Sequence, residues 1–263
     1  AIRKWAPQQN HNLSISGGTE KIKYYTYLGY NNQTTISRHD GGAYNRLNIQ
    51  SNVDATIFKG LVFSTSLNYI FEDRDFTAMN LASSNYYYAL YDSNPRYPLT
   101  LPDETKLSYA GSSYGNAIFV SSRELAGYNR NKSHNFRANA SLTYDFQNVK
   151  GLQLKAFVSM NMINGTSKIF RKQPDFYSYN AATGEYIFER KAQDPTMLYY
   201  GANRSTGITQ QYSVSYDNTF NDAHHVTVLF LHENIIYNDE TFDTSSGNLT
   251  SSVIDQLFAA DPT

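Results

Sequence analysis

The sequence has no cysteine, a single tryptophan and few charges, and each shortage removes a class of protein. Without cysteine there is no disulfide framework and no thiolate metal site. Lysine and arginine (22) nearly balance aspartate and glutamate (23), for a net charge of -1. No basic surplus is left to neutralise phosphates, so no nucleic-acid partner is expected. No run of about 18 apolar residues occurs, which excludes a membrane-spanning helix. A membrane β-barrel stays open, because its strands alternate and average to a polar composition such as this one, with mean hydropathy -0.54. The chain opens at Ala1-Ile2-Arg3-Lys4-Trp5 without Met or an apolar leader and closes at Asp261-Pro262-Thr263. Both ends are expected to be cuts in a longer polypeptide.

What is abundant points to strands. The chain carries 23 Tyr and 15 Phe and is dense in Asn, Ser and Thr, side chains that suit a pleated, half-buried surface. Period-two alternation is clearest in three segments. Leu61, Phe63, Leu67 and Tyr69 share a face with Thr65, against Ser64, Ser66 and Asn68. Phe136, Ala138, Ala140, Leu142, Tyr144 and Phe146 alternate with Arg137, Asn139, Ser141, Thr143 and Asp145. Leu47, Ile49, Val53, Ala55 and Ile57 alternate with Asn48, Gln50, Asn52, Asp54 and Thr56. Weaker runs at His11 to Ser16, Ile22 to Asn31, Leu152 to Asn161, Tyr212 to Phe220 and Val226 to Tyr237 bring the count to about eight strands. About ten residues tilted by about 40° span roughly 25 Å, the height of an outer-membrane apolar band.

Connection lengths fall into two alternating classes. Short ones are Gly17 to Lys21, Phe58 to Gly60, Gln147 to Gly151 and Asn221 to His225; long ones run from Asn32 to Ala43, Asp73 to Lys132, Gly165 to Gly207, and from Asn238 onward. Short turns on one side and long loops on the other describe an all-β, antiparallel up-and-down transmembrane barrel segment with long extracellular loops. The spacing predicts a loop helix over Met79 to Tyr91, with Met79, Ala82, Tyr86 and Ala89 on one face. A second is expected after the capping pattern at Ser252-Val253-Ile254-Asp255, grouping Ile254, Leu257 and Phe258. Phe176 to Tyr179 and Tyr186 to Glu189 flank a turn at Asn180 to Gly184, which predicts a hairpin within a loop.

These residues carry a family resemblance. Gln9-Asn10-His11-Asn12-Leu13-Ser14-Ile15-Ser16-Gly17-Gly18-Thr19, then Tyr24-Tyr25 and Leu28-Gly29-Tyr30, resembles a barrel segment of SusC/RagA-type TonB-linked outer-membrane proteins. Arg46-Leu47-Asn48, Asn52-Val53-Asp54, Asn94-Pro95-Arg96-Tyr97-Pro98, Gly127-Tyr128, Lys150-Gly151-Leu152 and His225-Val226-Thr227 with Glu233 continue it in order over nearly the whole chain. It departs at Pro102-Asp103-Glu104, where a glycine is expected after Pro-Asp. The resemblance implies a parent with an N-terminal plug, a TonB-contacting segment and a barrel of about 22 strands. It further implies residence in the bacterial outer membrane and import of a large glycan or peptide with a SusD-like lipoprotein. Residues 1–263 would be a partial barrel domain supplying wall strands in contact with lipid, and substrate-facing loops.

Candidate sites are few. His224-His225 with Asp222 does not read as a metal site, because adjacent strand residues point to opposite faces. Carboxylates at Glu72, Asp73, Asp75, Asp103, Glu104, Asp239 and Glu240 sit at strand ends or in loops, as a solvated rim would. No nucleophile motif, Gly-rich phosphate loop or metal-binding helix appears, so no catalytic residue, metal or cofactor is assigned and the chain does not read as an enzyme. Loop aromatics are the better candidates, since rings offer flat apolar faces beside polar neighbours. The ligand-contact expectation falls on Asn85, Tyr86, Tyr87, Tyr88, Tyr91, Tyr177 and Tyr179; the bland alternative is that such rings pack the loops together. Two other functions fit the pattern: a passive porin or surface adhesin, and a soluble carbohydrate-binding β-sandwich, which would need a second sheet over one strand face.

Overall fold

A computed structural model describes residues 2–79, 84–92, 94–111, 116–192, 195–251 and 253–259, leaving aside the side chains of residues 84–86 and 90. In chain order the elements are β1 (Gln8–Gly18), β2 (Ile22–Thr34), β3 (Gly42–Phe58), β4 (Leu61–Thr77), α1 (Ser84–Tyr91), β5 (Leu107–Ser108), α2 (Ala117–Val120) and α3 (Arg123–Ala126). They continue with β6 (Gly127–Asp145), β7 (Leu152–Arg171), β8 (Asp175–Asn180), β9 (Glu185–Lys191), β10 (Met197–Phe220), β11 (His224–Gly247) and a 3-10 turn, Leu257–Ala259.

Eight strands make one antiparallel sheet in the order β1-β2-β3-β4-β6-β7-β10-β11. Every neighbour is the next long strand in the chain, the meander expected from the alternation of connections. The outer edges of β1 and β11 do not pair with each other, so the sheet is an open arc of wall.

Cross-strand partners share a face, so the ladders sort the side chains. One row runs Leu28, Ile49, Tyr69, Phe136, Met162; another runs Ile22, Ala55, Phe63, Leu142, Ala156, Tyr212. This face is apolar, with Leu142 44% and Val158 40% exposed. Among the described residues no second sheet covers it, so the sandwich expectation does not hold and the face suits lipid. Aromatic side chains rim it: Phe58, Tyr144 and Phe146 pack edge to face near the short turns, and Tyr69 and Phe71 meet His134 at the other border. Tyr24 belongs to this outward face, whereas Tyr25 and Tyr27 point inward with Asn10, Asn12, Asn48 and Gln50.

The register also yields the strand tilt. Ile22, the foot of β2, is level through successive pairings with Tyr212 and His232, and His232 stands about eight residues above His224, the foot of β11. With the short turns on one rim, that offset over six ladders of about 4.8 Å, at about 3.3 Å per residue, gives a tilt of about 40°, as closed barrels require.

The strands are longer than hydropathy suggests, 24 residues each in β10 and β11. The correction lies at their loop-side ends, where Arg130, Lys132, Asn203 and Arg204 leave no hydrophobic alternation to read. The backbone ladder persists there, because main-chain pairing is indifferent to side-chain polarity.

Between the strand ends the longer loops fold together. Ala89 of α1, Phe119 and Val120 of α2, Ala126, Phe176 of β8 and Ala192 form a buried cluster, with Phe119 and Phe176 edge to face at 5.3 Å. Buried Asn116 organises it by accepting from the Ile118 and Phe119 amides and donating to the Leu99 and Ser108 carbonyls. The expected loop hairpin is present as β8 and β9, joined by β5 in a three-stranded sheet. The first helix is described over Ser84–Tyr91, and Met79 lies in a turn; Met79 and Ala89 do pack on the cluster, while Ala82 and the Tyr86 side chain lie outside the described residues. The second shrinks to the turn at Leu257–Ala259. Ser252, its expected cap, lies outside the described residues, and Asp255 is drawn instead to Tyr128 and Lys168.

Candidate functional site

The inward face is rich in amides and hydroxyls, with charged and apolar residues among them, and several recesses indent it. The first, about 410 Å³, lies on β1 to β3 and is lined by Asn10, Asn12, Tyr27, Asn31, Tyr44 and Arg46. Its polar groups are braced from behind. The Tyr27 hydroxyl donates to Asn12 Oδ1 at 2.6 Å, and Asn68 Nδ2 donates to Asn48 Oδ1 at 3.3 Å. Tyr44 donates to Glu72, and the Arg74 guanidinium stacks on the Tyr44 ring at 5.4 Å. Arg46 is the charged residue in the lining of this recess, with Glu72 and Arg74 beside it on the same face.

The second recess, about 440 Å³, lies at the loop-side ends of β6, β7, β10 and β11, beyond the apolar band. Two glycines shape its floor. A Cβ on Gly165 would stand 2.1 Å from Asn203 Oδ1, and one on Gly201 would stand 2.6 Å from the Tyr199 hydroxyl, so Asn203 and Tyr199 lie flat where a side chain would otherwise rise. Tyr199 donates to Asp243 at 2.5 Å.

The loop candidates fall into two groups on one folded unit. Tyr87, Tyr88 and Tyr91 stand exposed on α1, turned away from Ala89; Asn85 and Tyr86 lie on the same helix, with side chains outside the described residues. Tyr177 and Tyr179 are half-buried in the hairpin, against Phe188 at 6.1 Å and Tyr186 at 4.9 Å. Lys106 Nζ sits 4.8 Å above the Tyr177 ring, and the Tyr186 hydroxyl accepts from the Asp103 amide. The elements that carry the two groups meet at one buried cluster, α1 through Ala89 and β8 through Phe176.

A chain of charges binds the loops to the strand ends. Arg123 of α3 donates to both oxygens of Asp40, at 3.2 and 2.8 Å, and pairs with Asp75 of β4 at 2.5 Å. Asp75 also takes Arg130 at 3.0 Å, and Arg130 stacks on Tyr128 at 4.1 Å. Tyr128 and Lys168 both donate to Asp255. Burial works against the Asp255 charge, but these hydrogen bonds and the Lys168 charge outweigh it and hold its carboxyl below the usual carboxylate range. Burial likewise opposes the Arg123 charge, and Asp40 and Asp75 more than offset it, raising its pKa.

His225 approaches Asp217 at 3.6 Å and Thr219 at 3.1 Å, and no three potential ligands gather into a metal site among the described residues. Sequence reading missed both of these recesses. Their signal was present as two Tyr-x-Gly triplets, Tyr27-Leu28-Gly29 and Tyr199-Tyr200-Gly201, but their acceptors are distant in sequence.

No family model matches the chain, and no curated protein matches it. Solved structures do. The RagAB peptide importer in its "open-open" state is similar over 98% of this chain and 27% of the matched chain, with TM-score 0.69 at 19% identity. The "closed-closed" state gives TM-score 0.68 at 18% identity, with the same coverage. The chain therefore spans about a quarter of the length of the proteins it matches. Tilt, meander topology, the two-faced sheet and this likeness agree: the chain has the fold of a segment of antiparallel β-barrel wall, with its long loops on one rim, like that in the RagAB importer.

Proposed function

We propose that this chain is the ligand-facing wall and loop unit of a TonB-linked importer that carries a large nutrient, a glycan or a peptide, across the bacterial outer membrane together with a SusD-like lipoprotein. The observation that carries the reading is the division of one continuous sheet into an apolar outward face and an amide- and hydroxyl-rich inward face, with folded loops above it. The likeness to a peptide importer supports it through the fold. Wall strands and loops of this kind position ligand without chemistry, which accords with a transport role rather than an enzymatic one.

The test is uptake by cells expressing the complete protein that contains this chain. Import that stops when the proton gradient is collapsed, with a lipoprotein co-purifying in stoichiometric amount, is the expected result. Ion conductance of the purified protein in a planar bilayer without any energy source would instead favour a passive porin.

A further inference from the structure

We propose that the recess at the loop-side ends of β6, β7, β10 and β11 is a subsite for a neutral oligosaccharide; the inference rests on the importer reading above. Its inward-facing polar groups are Asn131, Ser133, Ser167, Asn203, Thr241 and the Tyr199–Asp243 pair, beside the apolar Ile163. Five of these are neutral amides or hydroxyls, and the one carboxylate is already engaged by Tyr199. Side-chain amides offer a donor and an acceptor together, as a sugar hydroxyl does, whereas a peptide terminus calls for an opposite charge. Lys132 borders the recess from an outward position of its ladder, and Lys168 and Arg204 occupy outward positions outside the lining, so the inward-facing lining itself carries no cation.

Asn203 is exposed and makes no side-chain hydrogen bond among the described residues. Gly165, its ladder partner, removes the side chain that would push that amide away from the wall. The Tyr199 ring beside it supplies the apolar surface on which the C–H face of a pyranose stacks. A recess of about 440 Å³ accommodates one or two sugar rings.

The experiment uses the complete transporter in detergent, titrated calorimetrically with malto-, manno-, xylo- and fructo-oligosaccharides and with oligo-alanine peptides. The expected result is binding of at least one oligosaccharide, weakened roughly tenfold by Asn203→Ala, the loss of a single hydrogen-bonding group. Gly165→Val, which displaces the Asn203 amide, should weaken it further, whereas outward-facing Tyr200→Phe should leave it unchanged. Because Asn203 is exposed, its alanine variant should retain the heat-dependent gel mobility of a folded barrel. Binding of peptides but of no oligosaccharide, or oligosaccharide binding indifferent to Asn203→Ala and Gly165→Val, overturns the subsite while leaving the importer intact. Absence of energised uptake of either ligand class overturns the importer reading itself.

Discussion

The Tyr27 hydroxyl reaches Asn12 at 2.6 Å by lying across Gly29, the residue that pairs with Asn12 in the ladder. Tyr199 repeats the arrangement with Asp243, the ladder partner of Gly201. In both, a glycine without a side chain lets an aromatic ring cover the bare backbone and tie two strands together. A Cβ on Gly29 would stand 2.5 Å from the Tyr27 hydroxyl, so Gly29→Val must expel the ring. The expected cost is about 1–3 kcal/mol, read as a lower urea midpoint for loss of the folded-barrel gel band. Tyr27→Phe, which keeps the ring and loses only the hydrogen bond, should cost about 0.5–1 kcal/mol.

The two faces differ in what they tolerate. Leu142→Arg or Val158→Arg places a charge in the apolar band and should destabilise the barrel in lipid by about 2–4 kcal/mol. Ser141→Arg, one residue away on the inward face, should cost little. Equilibrium unfolding from phospholipid vesicles measures both, and equal costs would contradict the assignment of faces.

Arg123 joins the β2–β3 loop to β4 through Asp40 and Asp75. Arg123→Ala leaves Asp75 with Arg130 alone and should loosen the loops by about 1–2 kcal/mol, since partial exposure screens the pairs. Limited proteolysis around residues 35–41 and 117–126 should accelerate roughly 5- to 30-fold. Arg123→Lys, which cannot grip Asp40 with two nitrogens, should fall between.

Acid should release the segment around Asp255. Its carboxyl is held below the usual carboxylate range, so the detached segment binds the proton more readily than the docked one. The stabilisation is complete above about pH 4 and is lost as pH falls through the depressed value. Hydrogen exchange of residues 248–259 should therefore rise in acid, and Asp255→Asn should show the released pattern already at neutral pH.

Gly151 turns the β6–β7 connection at φ +87°, and a Cβ there would meet the Asp217 carbonyl at 2.0 Å. Gly151→Ala combines backbone strain with a clash that no rotamer relieves, so a loss of about 1–3 kcal/mol is expected. The yield of folded barrel after refolding from urea reports it.

The wall was legible in the sequence because its chemistry repeats. Phe136 to Phe146 and Leu61 to Tyr69 write both faces into alternate residues, and turns such as Phe58 to Gly60 mark one rim. β11 was harder, because Leu229, Leu231 and Ile235 are apolar on the inward side as well, which blurs the period of two. Strand ends above the band were invisible to hydropathy. The recesses were invisible for another reason: Tyr199 is brought to Asp243, and Asn203 to Gly165, by register alone, and register is a property of the whole sheet. The loop tyrosines could be named but not grouped, since α1 and β8 meet through Ala89 and Phe176, residues that carry no sign of a site.

Strand length grows along the arc, from 13 residues in β2 to 24 in β10. At about 3.3 Å per residue and a tilt of about 40°, the wall stands roughly 25–30 Å taller at β10 than at β2. The upper rim of this arc is thus cut on a slant. Asn203 and Tyr199 therefore sit on the high side of that rim, on the inner surface of the arc and above the level at which β2 ends.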